Sequence, residues 1–258
     1  MSLGVNGSSA GANNSGWKEV ARYSTAGSYT WTCPKTATYG VFVVGGGGSG
    51  ARMTTGSNIR AASGGASGFS NDAIASITQG QSFDVVVGSG GASVSTSYAD
   101  GNSGEASSFG PISASGGDGG KYTTSTSVAI AYGAVSLYVR AASTTEPPEG
   151  KYGIEAPIRE GSTPVFSMPW LCRNPFTGEQ CLASGGGTHA NSSGSVDGYT
   201  EGGKNPFTGL GGGDGGTAYN ISGQDATEFG CGGGGCCGAS ASSGAGAAGI
   251  VIIYEKCE

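Results

Sequence analysis

His189 is the only histidine in the 258 residues, so the chain holds a single ordinary candidate for a general base near neutral pH. It sits in GGGTHANSSG among small polar residues, and no serine lies in the GxSxG elbow that serves a nucleophile. That context predicts a histidine in a solvated loop, without the partners of a triad. Gly45, Gly47 and Gly50 satisfy GxGxxG after the apolar residues 41–44, with Asp72 at a ribose-contact distance. A dinucleotide site needs a helix next, whose amides face the pyrophosphate. ARMTTGSNIRAASGGASG follows instead, with no apolar period of 3.6 residues, and no GK[ST] supplies a P-loop. No cofactor is expected.

Seven cysteines are present. Cys231, Cys236 and Cys237 lack CxxC spacing and have no second cluster to complete a zinc site. Cys172 and Cys181 bracket the turn sequence RNPFTG, a spacing that predicts a hairpin disulfide. Cys33 and Cys257 each end a terminal strand and form a second candidate pair; an odd count leaves at least one thiol free. Asp118 and Asp214 lie in GGDGG units, but without the GGxGxD calcium repeat these read as solvated turns. No metal is expected, and the chain carries no constellation of an enzyme.

Charged residues make up 12%, with 18 acidic against 12 basic, for a net charge of -6 and a pI near 4.8. With no Lys/Arg cluster, neither nucleic acid nor an anionic membrane is an expected partner. No apolar run is long enough for a membrane-spanning helix. Glycine accounts for 54 residues, gathered in blocks at 45–48, 116–120, 211–216 and 231–237. Such blocks are costly inside ordinary helices and strands, and suit close backbone packing or loops.

The elements that position these residues read as short strands. Residues 28–33 alternate, with Tyr29, Trp31 and Cys33 on one face; residues 41–44 form a buried run. Residues 69–77, 83–87 and 109–112 repeat the pattern, with turns at 79–80 and 88–91, and residues 250–254 supply the last buried strand. The two ends hold the best strands, which places them in one sandwich with the glycine-rich body hung from it. Residues 1–16 read as a polar linker, and residues 17–257 as one β domain interrupted by an insertion at 121–183. That insertion carries only five glycines and six of the nine prolines lie in 147–175. Within it Val128, Ile130, Tyr132, Val135, Leu137 and Val139 alternate around Gly133, predicting a hairpin, with a helix broken by its glycine as the alternative. The stretch from 146 to 171 is too proline-rich for regular structure and too apolar for a plain loop.

Because a glycine scaffold offers few side chains, recognition falls to the insertion's large residues: Tyr122, Tyr138, Tyr152, Phe166, Met168 and Trp170. For Phe166 and Trp170 packing as a satellite core is an equal alternative.

Three stretches, AGSYTWTCPKTATYGVFVVGGGGSG at 26–50, SITQGQSFDVVVGSGG at 76–91 and GEASSFGPISASGGDGG at 104–120, closed by AGAAGIVIIYEKC, resemble the glycine-rich domain family of phage and prophage tail fibres and related virion or cell-surface proteins. More distantly the order of strands and glycine blocks is similar to the glycine-rich ectodomain region of anaplastic lymphoma kinase receptors. The resemblance implies an all-β, jelly-roll-like β-sandwich with polyglycine II segments. It also implies a non-catalytic structural and binding module on a virion or at the cell surface. Expected partners are other tail or surface proteins and a host-surface glycan or protein, with self-association into a homo-oligomer left open. The alternative is a bacterial cell-surface or secreted carbohydrate-binding adhesion module. MSLGVNGSSAGANNSG has no secretory signal features, so either export follows another route, as lysis would provide, or the chain is trimmed.

Overall fold

In the computed structural model the described residues are 16–54, 60–123, 129–132, 137–140, 149–152, 156–157, 159–160, 163–164, 172–182, 185, 188–190, 196–199, 202 and 211–257. They contain strands and no helix. In chain order these are β1 (Trp17–Tyr23), β2 (Gly27–Thr32), β3 (Ala37–Val44), β4 (Arg52–Met53), β5 (Arg60–Ala62), β6 (Ser70–Ile77), β7 (Ser82–Val87), β8 (Ser107–Phe109) and β9 (Ile112–Ala114). Then come β10 (Tyr122–Thr123), β11 (Ala129–Ala131), β12 (Leu137–Arg140), β13 (Glu149–Tyr152), β14 (Ala156–Pro157), β15 (Arg159–Glu160) and β16 (Thr163–Pro164). The last are β17 (Cys172–Arg173), β18 (Gln180–Cys181), β19 (Thr188–Ala190), β20 (Val196–Tyr199), β21 (Cys236–Cys237) and β22 (Ile250–Lys256).

Two antiparallel sheets, ordered β1-β22-β3-β6 and β2-β7-β8-β9, face each other as a sandwich. Between them lie Trp31, Tyr39, Val41, Val43, Val85, Phe109, Val251 and Ile253, all buried. Trp31 meets Tyr39 edge-on at 5.2 Å and Phe109 at 5.7 Å, and Phe83 stacks on Phe109 at 4.9 Å. The alternation of Trp31 and Cys33 is therefore a core face, and the first and last strands do share one sheet.

β3 and β22 are apolar on consecutive residues because both of their faces are covered. Phe42, Val44, Ile250, Ile252 and Tyr254 point away from the sandwich core, toward Phe176, Cys181 and Leu182 of the β17–β18 hairpin. RNPFTG is the turn of this hairpin, and it is also a plug. The Asn174 side-chain oxygen accepts the Phe176 amide (3.0 Å), its Nδ2 donates to the Tyr254 hydroxyl (2.7 Å), and Gly178 takes φ 73°. The Phe176 ring, 5.0 Å from those of both Trp17 and Tyr254, fills the space where a Cβ on Gly40 would stand. Phe176→Ala is expected to cost about 3–5 kcal/mol in denaturant unfolding. Gly40→Ala is expected to destabilise the wild type but to be close to neutral in the Phe176→Ala background. Additive effects would contradict that seating.

Cys172 and Cys181 stand directly opposite each other in the hairpin register. Antiparallel partners have Cα atoms roughly 4.5–5.5 Å apart, inside the range a disulfide spans. Non-reducing peptide mapping of air-oxidised protein is expected to recover them linked, and recovery of both as alkylatable thiols would end the expectation. The other candidate pair does not form: the buried Cys33 thiol donates to the carbonyls of Lys35 (3.0 Å) and Ile77 (3.8 Å), whereas Cys257 is exposed.

Several expectations need correction. Residues 109–112 are not a strand but the tight connection between β8 and β9, with Gly110 at φ 51°. Residues 88–91 are not a turn, and their role is described below. The proline-rich stretch does form regular structure: β13 pairs with β12, β14 pairs with β13, and β15 pairs with β16. The hairpin around Gly133 is observed as β11 against β12, with Ile130 opposite Tyr138. His189 lies in β19, between β5 and β20, and not in a loop.

The glycine blocks leave the sandwich as extended segments tied by backbone hydrogen bonds with a three-residue step. The amides of Gly45, Gly48 and Ala51 donate to the carbonyls of Phe69, Ala66 and Ser63. Those of Gly46, Ser49 and Arg52 donate to Glu105, Asn102 and Ala99, and those of Gly47 and Gly50 to Ala247 and Gly244. Every third residue addresses the same neighbour, which steps back by three, so consecutive amides point to three different antiparallel segments. In the reverse sense the carbonyls of Gly46 and Ser49 accept from Gly117 and Gly120, those of Gly48 and Ala51 from Gly233 and Cys236, and that of Gly47 from Gly91. Segment 45–51 is thus enclosed by six others. A Cβ on Gly47 would collide with the backbone carbonyl of Cys231, and one on Gly48 with that of Asp118. Here glycine is required for close approach.

Candidate functional site

The hydrogen-bond directions fix the routing. Segments 45–51, 115–120 and 230–236 run outward from the sandwich, and 63–69, 99–105 and 244–249 return to it. Gly16 and Cys257 lie side by side, the Cys257 amide donating to the Gly16 carbonyl (2.7 Å), at the end of β1 and β22 remote from the glycine segments. At about 3.1 Å per residue in such extended chain, the far end of the bundle stands roughly 20 Å beyond the sandwich.

At that far end Ala51, Met53, Ala62 and Cys237 are buried under Tyr98, Tyr122 and Tyr219. The rings of Tyr98 and Tyr122 are 6.1 Å apart, and Tyr98 has φ 54°, a conformation that costs a non-glycine residue energy. Asp100 holds the return: one oxygen accepts the Tyr122 amide (3.1 Å) and the other faces Lys121 Nζ (3.2 Å). Arg52, only 3% exposed, donates to the carbonyls of Gly238 (2.9 Å) and Ala239 (2.8 Å) and so ties β4 to the chain leaving β21. Beside this cluster β12 lies against β10 and β5, which brings the β11-β12-β13-β14 sheet to the same end. Asp118 anchors that sheet: its amide donates to the Tyr132 carbonyl (2.8 Å) and its carboxylate accepts the Tyr132 amide (3.1 Å). Tyr132 is left 60% exposed and Ile221 48%.

The candidate recognition residues separate accordingly. Tyr122 is half-buried and packs on the Met53 cluster, so it supports the surface more than it presents it. Tyr138 is opposite Lys151, and Tyr152 opposite Leu137, in one sheet but in different cross-strand pairs. Phe166, Met168 and Trp170 lie outside the described residues. The sequence reading missed Tyr98, Tyr219 and the exposure of Tyr132; the signal for Tyr219 lay in its position just beyond the 211–216 glycine block, where an extended segment ends.

The two GGDGG aspartates are backbone acceptors and not open turns, Asp214 taking the Gly202 amide (3.0 Å) as Asp118 takes that of Tyr132. Among the described residues no three His, Cys, Asp or Glu side chains gather as a metal site requires. Burial pushes the Cys236 thiol up to about 11 and the Tyr254 hydroxyl up to about 12, so both keep their protons at neutral pH. For Cys236 that is the opposite of what a nucleophile needs. Gly45, Gly47 and Gly50, the GxGxxG match, face the carbonyls of Ser115, Cys231 and Gly234, which occupy the space that a bound phosphate would need.

No curated protein matches the chain. A family model described as a glycine-rich domain matches residues 24–256, a span that takes in both sandwich sheets apart from β1, the whole glycine bundle and the 121–183 segment. The chain belongs to the glycine-rich domain family.

Proposed function

We propose that this chain is a non-catalytic structural and binding module of a phage or prophage tail fibre or a related virion assembly, holding a recognition surface against a host-surface glycan or protein. The observation that carries the reading is the out-and-back routing: the sandwich and both described chain ends lie at one end, and side chains able to contact a partner gather at the other. The three-residue hydrogen-bond step supports reading the glycine blocks as polyglycine II helices, which have three residues per turn and no internal hydrogen bonds. Bundled, they form a stiff spacer. The two facing sheets support a jelly-roll-like sandwich as its base. A cell-surface adhesion module that binds carbohydrate is the second reading; the exposed Tyr132 side chain favours a sugar, since aromatic faces stack on sugar rings.

The test replaces residues 129–164 with a short Gly-Ser link, keeping β10 and the β17–β18 plug because both pack on the core. Adsorption to candidate host cells and to a glycan array is measured beside the melting curve. A folded variant that no longer binds is the expected result. Unchanged binding would move recognition off residues 129–164 and onto the tyrosines and glycine-rich segments that remain. A glycan hit shared by unrelated hosts, without phage adsorption, would favour the second reading.

A further inference from the structure

The sandwich has four edge strands, and three of them are guarded. β1 carries Lys18, Glu19 and Arg22 and a bulge between Glu19 and Ala21. β9 is three residues long. β2 lies beside β1 across the 24–26 turn, with Tyr29 packed on Tyr23 at 5.1 Å. β6 is less guarded: β9 reaches it at its start, where Asn71 Nδ2 donates to the Ser113 carbonyl (3.0 Å), and it carries a single charge, Asp72. It is eight residues long, contains no Lys, Arg or Pro, pairs with β3 in unbroken register, and has no strand on its other side among the described residues. Long edges without lysine or proline are templates for pairing with another strand. Its exposed members are Asn71, Asp72, Ile74, Ala75 and Ser76, and Ile74 is 60% exposed.

The open edge also has a defined hydrogen-bonding phase. The Asp72 amide donates to the Asn71 side-chain oxygen (2.9 Å), so it points away from β3. Alternation along a strand then directs the amides and carbonyls of Ile74 and Ser76 outward as well.

We propose that the free edge of β6 is a homodimer interface, in which two copies pair antiparallel about a two-fold axis through Ile74. The sequence is self-complementary in that register. Ile74 faces Ile74 as a hydrogen-bonded pair, Ala73 faces Ala75, and Asp72 faces Ser76, whose hydroxyl donates to the carboxylate. The only charge on the strand is thereby kept away from its copy, whereas a register centred on residue 72 would oppose two carboxylates. A symmetric dimer needs such an isologous patch. Pairing joins the two β1-β22-β3-β6 sheets into one continuous sheet and covers the most exposed large apolar side chain of the sandwich.

Sedimentation equilibrium over a wide concentration range tests this with the intact chain, Ile74→Lys, Ile74→Glu and their equimolar mixture. The wild type is expected to dimerise. Each charged variant is expected to dimerise roughly tenfold or more weakly, since it sets like charges opposite each other across the axis, while its melting curve stays that of an edge-exposed substitution. The mixture is expected to recover association, because the introduced ammonium of one copy faces the introduced carboxylate of the other only in the two-fold register proposed. A wild type that stays monomeric up to its solubility limit would overturn the proposal, whether or not the edge accepts an extended segment from another protein. Undiminished association of Ile74→Lys would overturn it too, as would a mixture no tighter than its components.

Discussion

Removal of residues 250–258 is expected to leave no folded protein. β22 is a central strand, paired with β1 on one side and β3 on the other, and it supplies residues to the cores on both faces of its sheet. Ile250, Val251, Ile252 and Ile253 are each at most 2% exposed. At about 1.5–3 kcal/mol for each such side chain, these four account for roughly 6–12 kcal/mol. A whole domain is stable by about 5–15 kcal/mol. The truncation also leaves β1 without the one partner strand it has among the described residues, and it removes the Tyr254 hydroxyl that accepts from Asn174. The truncated chain should be insoluble, or soluble without a cooperative melt. A soluble product with the full-length melting curve would contradict the closure of the sandwich.

The second large effect separates the two reasons a protein uses glycine. Gly47 lies at the centre of the bundle, and a Cβ there would meet the backbone carbonyl of Cys231, which is itself held in the network. No flexible side chain can move aside. Gly80, by contrast, has φ 86° in the turn before β7 and nothing within 4 Å of a Cβ. Gly80→Ala should cost about 1–2 kcal/mol, the strain of a left-handed alanine. Gly47→Ala should cost more than about 3 kcal/mol, because overpacking here displaces backbone in two segments at once. Chemical denaturation of the two variants measures both. The reverse order would mean that the blocks are loops.

Where side chains carry the information, the fold was legible. Trp31 and Cys33 alternate with hydroxyl residues and do line one core, and the apolar runs at 41–44 and 250–254 are buried on both faces as such runs should be. Misreadings arose where a local signal had two outcomes. Phe109 and Ile112 look like one strand, yet the positive φ available to Gly110 folds them into a hairpin. Asn174-Pro175 with Gly178 does mark a turn, but nothing local reveals that Phe176 between them seats on Gly40, more than a hundred residues away. The bundle was hidden for a stricter reason. Its contacts are between amides and carbonyls, which every residue possesses, so the sequence records only the absence of Cβ atoms and not which segments meet. The same limit applies to the far-end tyrosines. Tyr98, Tyr122 and Tyr219 are distant in sequence and converge only because the segments before them are parallel or antiparallel neighbours of known length.

The enclosed hydrogen-bond network is the feature on which the rest depends, and native-state amide hydrogen exchange of residues 45–52 tests it most directly. In a loop these amides would exchange rapidly, and in an edge strand protected and unprotected amides would alternate. Here every consecutive amide from Gly45 to Arg52 has a backbone acceptor in another segment. All eight should therefore be protected without alternation, with opening energies near that of global unfolding. Rapid exchange across the block, or a two-residue alternation within it, would contradict the account.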